Sequence, residues 1–266
     1  MTETSRSNRA LVALLLFFLG SGCSALIYEV IWYELLRQVV GASSISMAIV
    51  LTSFMGGLFL GSWGFSRLIM PRYHPLLIYA VLELGIGLFG LLILVLLPSV
   101  RLLYVSVVGY GTAGILLRAV VCLICLLPPT IMMGATLPAV ARWMSASRIG
   151  ISRLGFLYMA NTLGAVGGTL LAGFYLLPTY DMVTATQFAA TVNILVAVFA
   201  IVLAWRTLPF PVPQTLTADT GGLQPLVIEL PKFIVYGAIA VSGLTALGAQ
   251  VVWTRLMSLM LMKMFQ

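Results

Sequence analysis

The amino-acid sequence predicts an all-α polytopic membrane protein of about seven transmembrane helices, a six-helix unit followed by the first helix of a second, parallel one. Three observations carry that expectation. Hydrophobic residues make up 61% of the chain and charged residues only 8%. A soluble domain carries roughly 25% charged residues, so too little polar surface is present to solubilise a globule. Uncharged runs of bilayer-spanning length recur along the chain, and a phrase near the start returns near the end. The runs are continuous rather than alternating, which excludes a membrane barrel.

The elements follow in order from these runs. Helix one is expected over Arg9–Leu36, helix two over Ile45–Ile69 and helix three over Leu76–Leu97. Helix four covers Thr112–Trp143 and bends at Pro128-Pro129, helix five covers Leu154–Leu177, helix six Met182–Trp205 and helix seven Lys232–Leu256. Proline lacks an N–H and disfavours helix in the residue before it. Pro71 and Pro75 therefore bracket the second loop, Pro98 is expected to end helix three and Pro178 to end helix five. Three domains result: a transmembrane unit over 1–205, a Pro/Gly-rich linker over 206–231, and a helix with a C-terminal tail over 232–266.

The first apolar run follows Arg6 and Arg9, as a signal peptide would, and Cys23 follows Gly20-Ser21-Gly22. It continues without a break into an aromatic-rich helical segment, which favours an uncleaved span. The net charge of +7 is spread over short loops, so topology explains it better than nucleic-acid binding. Arg6, Arg9, Arg67, Arg72, Arg142, Arg148, Arg153, Arg206 and Lys232 fall on one side, against Arg37, Arg101, Arg255 and Lys263 on the other. The positive-inside rule places the N-terminus and the linker in the cytoplasm of a multi-pass protein of the cell (inner) membrane. Cys122 and Cys125 form a nominal C-x-x-C inside an apolar run, where packing is the expected role, and His74 has no metal-ligating neighbours in the sequence.

The returning phrase is "SGCSALIYEVIWYELL" at Ser21 and "SGLTALGAQVVWTRLM" at Ser242. In one register Ser21-Gly22 meets Ser242-Gly243, Glu29 meets Gln250, Trp32 meets Trp253 and Glu34 meets Arg255. Six helices separate the copies, an even number that returns the chain to the same side, so the copies are parallel. Two such six-helix halves about the membrane normal is the layout of major-facilitator transporters.

The stretches "SGCSALIYEVIWYELL", "MGGLFLGSW", "LELGIGLFGLL", "MGATLPAVARW" and "LGFLYMANTLGAVGGTLLAGFYLLP" together resemble the membrane portion of the fused major-facilitator/spermidine-synthase family. The resemblance covers nearly all of Ser21–Leu177 and returns at Ser242–Leu256. It implies a transporter-like membrane domain that, in the family, precedes an aminopropyltransferase-like domain. After helix seven this sequence reaches Gln266 with no Gly-rich turn and no acidic residues for a nucleotide or polyamine, so the expected reading is the membrane portion without an enzyme. The loop "GSWGFSRLIMPRYHP" keeps a glycine and an arginine of the transporter signature, Gly61 and Arg67, but lacks its aspartate.

A charge at membrane depth costs about 3 kcal/mol or more and normally faces a protein interior or cavity. Glu29, Glu83 and Arg118 are the charges at depth. The functional reading makes Glu29, Trp32, Glu83 and Asn161 a binding site for an organic cation such as a polyamine. The structural reading makes the acids inter-helix hydrogen-bonders, to Arg118, Tyr28 or Asn161. Helical spacing puts Gly22, Glu29 and Trp32 on one face and lets Glu34 pair with Arg37. Trp32 is expected to wall a cavity and Tyr33 to join the interfacial aromatic belt. The repeat also predicts that Glu34 and Arg255 approach at the outer mouth as an inter-helix ion pair. Gly57-x-x-x-Gly61 and Gly164-x-x-x-Gly168 are expected to be packing stripes.

Two function classes stay open: a transporter-like half handling polyamines or other organic cations, and a non-catalytic membrane subunit or anchor of a larger complex. The Met-rich end "RLMSLMLMKMF" suits contact with a second membrane protein or another copy of the chain. A separate synthase-like soluble domain is a further expected partner. No nucleophile–base pair, metal spacing or phosphate loop occurs, so catalytic residues, metal and cofactor are all expected to be absent.

Overall fold

The computed structural model of the protein describes residues 3–40, 44–68, 73–107, 112–146, 153–207 and 231–264. All regular elements among them are helices, and no strand occurs among the described residues. We number them α1 (Glu3–Val40), α2 (Ser44–Leu68), α3 (Pro75–Val107), α4 (Thr112–Ala146), α5 (Leu154–Thr179), α6 (Met182–Arg206) and α7 (Lys232–Met264). All seven are long and apolar enough to cross a membrane. The chain is an all-α polytopic membrane protein. The expected linker over 206–231 lies outside the described residues apart from its ends.

One proline boundary differs from expectation: the helix expected to stop at Pro98 continues to Val107, whereas α5 ends at Thr179, directly after Pro178, as expected. Proline removes one donor, and a membrane helix tolerates that where its neighbours or local adjustments satisfy the freed groups. In α5 a π-helical turn at Ala172–Leu176, in which the Leu177 N–H reaches back to the Ala172 carbonyl, precedes Pro178. Around Pro128 and Pro129 in α4, the Thr130 hydroxyl donates to the carbonyls of Leu126 and Leu127 at 2.6 and 3.2 Å.

Small residues set the packing. Between membrane helices no hydrophobic force operates, because lipid is as apolar as leucine, so close van der Waals approach decides association. Gly164 and Gly168 of α5 lie against the Leu19 and Cys23 backbone of α1, so the two helices run the same way. Gly22 of α1 lies in return against the Asn161 carbonyl. Gly57 and Gly61 of α2 lie against Thr130 and Ile131 of α4, and Gly134 of α4 lies against Leu58. Both glycine stripes read from the sequence are packing stripes. On α6 the buried face is largely alanine: Ala185, Ala189, Ala197, Ala200 and Ala204.

The extensive helix pairs are α1 with α5, α2 with α4, α3 with α6, α3 with α4 and α1 with α6. Exchanging α1, α2 and α3 for α4, α5 and α6 maps this set onto itself. The triplets start on opposite sides of the membrane, so the packing has the pattern of nested inverted three-helix repeats. Helix α7 stands apart, touching chiefly α2, and its described side chains are almost all exposed.

His74 fixes one end of the bundle. Its carbonyl accepts the N–H groups of Leu77 and Ile78, starting α3, with Pro75 as the first helical residue. Its Nε2 lies 3.4 Å from the Thr207 hydroxyl at the end of α6, so the start of α3 and the end of α6 share a membrane face. Burial holds the imidazole below its ordinary pKa of 6.5. The folded form therefore binds a proton less readily than the unfolded one. Its contribution to stability is complete above 6.5 and declines as pH falls below that value. Thermal melts should show a lower Tm in mildly acidic than in neutral buffer, and His74→Gln should reduce the difference. An unchanged acid sensitivity in that variant would contradict the assignment.

Candidate functional site

The buried apolar residues form two layers. One gathers Leu14, Phe18, Leu76, Val140, Trp143 and Ala200. The other gathers Ile27, Trp32, Phe54, Ile86, Leu126 and Ala189. Between them, at the middle of α1, α3, α5 and α6, the chain places polar residues: Ser21, Glu83, Asn161 and Asn193. A polar waist between two apolar layers matches where irregular chemistry is expected in a membrane bundle, at mid-depth and facing protein.

Helix α1 divides this waist into two sides. On one side runs a groove. Its outer part, a cavity of about 490 Å³, is lined by Glu29 and Tyr33 of α1, Val50 and Phe54 of α2, Thr169 of α5 and Gln250 of α7, among others. Its inner part, of about 350 Å³, is lined by Ser21, Gly22, Thr136, Tyr158 and Asn161, among others. Leu26 and Phe54 line both parts, so the two are adjacent. Among the described residues Glu29 is the only carboxylate on the walls, which are otherwise apolar, aromatic or neutral polar.

On the other side lies a closed junction of α1, α3 and α6. Glu83 is fully buried there, and the Ser21 hydroxyl donates to its Oε1 at 2.6 Å. Tyr28 stacks on Trp32 at 4.8 Å and presses against Gly90 of α3. Asn193 of α6 lies beside Gly87, one turn beyond Glu83. The hydroxyl of Tyr28, the Trp32 Nε1 and the Asn193 Oδ1 are buried without a hydrogen-bond partner among the described residues, and the Tyr79 hydroxyl is a hydrogen-bond partner of the Glu83 carboxyl group.

The four expected binding residues are therefore split. Glu29 and Asn161 line the groove, and Glu83 and Trp32 belong to the junction. Trp32, expected at a cavity wall, is 1% exposed in the core, and Tyr33 lines the cavity. The reason is angular. Neighbouring positions on a helix are about 100° apart, and α1 presents Tyr33 to α2 and Trp32 to α3. The acids bond differently from expectation as well. Glu83 uses Ser21, which sequence reasoning noted only as part of the repeat.

Glu34 pairs locally with Arg37 at 2.6 Å, as the spacing predicts. The side chains of Arg255 and Arg118 lie outside the described residues, and with them the expected Glu34–Arg255 pair and the third charge at depth. Gln250, which the repeat aligns with Glu29, lines the same cavity as Glu29. The three cysteines are free thiols, Cys122 buried in a core layer, and no cluster of metal-ligating side chains occurs among the described residues. Comparison with family models, with curated proteins and with solved structures finds no match to this chain.

Proposed function

We propose that this integral membrane protein is a transporter-like half of major-facilitator type that takes an organic cation, such as a polyamine, into the groove beside α1. The reading places it in the cell (inner) membrane with the N-terminus in the cytoplasm, and assigns it binding and translocation rather than catalysis. The observation that carries it is Glu29, the one carboxylate among the described residues lining a cavity of about 490 Å³ whose walls are mostly aliphatic and aromatic side chains. A carboxylate in such a site attracts a cation of matching shape, while Tyr33 and Phe54 offer ring faces to an alkylammonium group. The inverted-triplet packing and the shared cavity of Glu29 and Gln250 support the transporter-like arrangement.

The test is binding. Protein purified into lipid nanodiscs is expected to bind radiolabelled spermidine saturably, with displacement by other polyamines. Non-saturable retention equal to that of empty nanodiscs would overturn the proposal.

A second reading, a non-catalytic membrane subunit of a larger assembly, is favoured by α7. Phe233, Tyr236 and Leu244 are 75%, 68% and 73% exposed, and Gly243 has nothing within 4 Å. Its counterpart, Gly22, is packed against another helix. The α7 surface therefore has room for a further helix, from a second membrane protein, another copy or a synthase-associated partner. A stoichiometric companion in the nanodisc preparation, together with absent cation binding, would favour this second reading.

A further inference from the structure

We propose that Glu83 is a proton-binding site, separate from the cation groove and reached from it through Ser21. The placement of Ser21 is the key geometry. Its residue lines the inner part of the groove, and its hydroxyl donates to Glu83 Oε1 at 2.6 Å. One residue thus lies at both the groove and a fully buried carboxyl group.

The surroundings of Glu83 suit a neutral acid and not a resident ion. Ser21 and Tyr28 face the junction from α1, Tyr79 lies one turn earlier on α3, and Asn193 faces it from α6. From α4, Met132 fills the neighbouring space at Gly85. No basic side chain is among the electrostatic partners of Glu83, and the Arg118 side chain lies outside the described residues. A buried carboxylate without a counter-charge faces a desolvation penalty of several kcal/mol. A neutral carboxylic acid needs only an acceptor for its proton and a donor to its carbonyl oxygen. Ser21 supplies a donor to Oε1, and Tyr79 is a second hydrogen-bond partner of the carboxyl group. Oε2 can carry the proton, and Asn193 Oδ1 is an unpartnered acceptor in the same junction.

The step is simple protonation. The carboxylate takes a proton from hydronium of the aqueous phase, which becomes water; an Oε2–H bond forms, and release returns the proton to water with no redox change. Helix α1 carries both Ser21 and Glu29, so a change at Glu83 acts on the helix that walls the groove. The site itself rests on burial and hydrogen bonding and requires no particular substrate.

Infrared pH-difference spectroscopy of the protein in lipid nanodiscs tests it. At neutral pH the wild type is expected to show the C=O stretch of a protonated carboxylic acid. Glu83→Gln should lose that band, Glu29→Gln should keep it, and raising the pH should titrate it away. Ser21→Ala should retain the band but move it to higher frequency, because its hydrogen bond to the carbonyl oxygen is gone. No Glu83-dependent acid band at any pH where the protein stays folded would overturn the proposal. If Glu83→Gln does not fold, Ser21→Ala decides alone: a shifted band upholds the site and an unmoved one overturns it. The readout uses the resting protein, so failure of spermidine binding leaves this result unaffected, and the reverse holds equally.

Discussion

Replacing Gly22 by alanine is expected to abolish most of the folded protein, although the change adds a single methyl group. A Cβ at that position would overlap the Asn161 carbonyl, an atom of the α5 backbone. A flexible side chain could swing aside, but a helix backbone cannot. Relief therefore requires α1 and α5 to separate along their crossing, where Gly164 and Gly168 already hold α5 against Leu19 and Cys23. Overpacking a well-packed interior costs about 1–3 kcal/mol, occasionally more. Separation also removes contacts that in lipid have no hydrophobic force to replace them. Fluorescence-detected size-exclusion chromatography should show a collapsed monodisperse peak, and any remaining material should melt at lower temperature. Gly61→Ala should behave alike, because its methyl would meet the Ile131 carbonyl of α4. Gly243→Ala and Gly167→Ala, with nothing within 4 Å, should match wild type. A normal peak and melting temperature for Gly22→Ala would show that α1 and α5 do not cross there.

These glycines illustrate what the sequence makes legible. A four-residue spacing of glycines marks a face where another backbone can approach, so both stripes could be read without coordinates. The membrane class and the spans α2, α6 and α7 were legible for a similar reason, since hydropathy acts over the length of a segment. The expected end at Pro98 misplaced α3 because proline forbids one hydrogen bond, not a helix. The site was less legible. Glu29 and Glu83 stand out in an apolar run, but their different roles depend on which neighbour faces each side of α1. That assignment comes from the pairing of helices far apart in sequence, as with Ser21 and Glu83. Ser21 carries no distinguishing signal beyond its return as Ser242, and many membrane serines simply bond their own helix, as Ser24 does to the Ser21 carbonyl.

Glu29→Gln is expected to reduce spermidine binding by about tenfold to a hundredfold while leaving the fold intact. Glutamine keeps the shape and an acceptor oxygen but removes the charge. A hydrogen bond to a charged partner contributes about 1.5–3 kcal/mol, which corresponds to that range of affinity. The fold should tolerate the change because Glu29 is only partly buried, faces the groove, and has no ion-pair partner among the described residues. Removing a lone charge at membrane depth even relieves a cost of about 3 kcal/mol, so an unchanged or slightly raised melting temperature is expected. Competition data sharpen the result. If the carboxylate reads positive charge, a neutral alcohol of similar length should bind wild type and Glu29→Gln equally, and only the cation should discriminate. Gln250→Glu, across the same cavity, should then strengthen cation binding in wild type and restore part of it in Glu29→Gln, since the second carboxylate would face the same 490 Å³. A Glu29→Gln protein that binds spermidine as tightly as wild type would move the cation elsewhere, and with it the functional meaning of the groove.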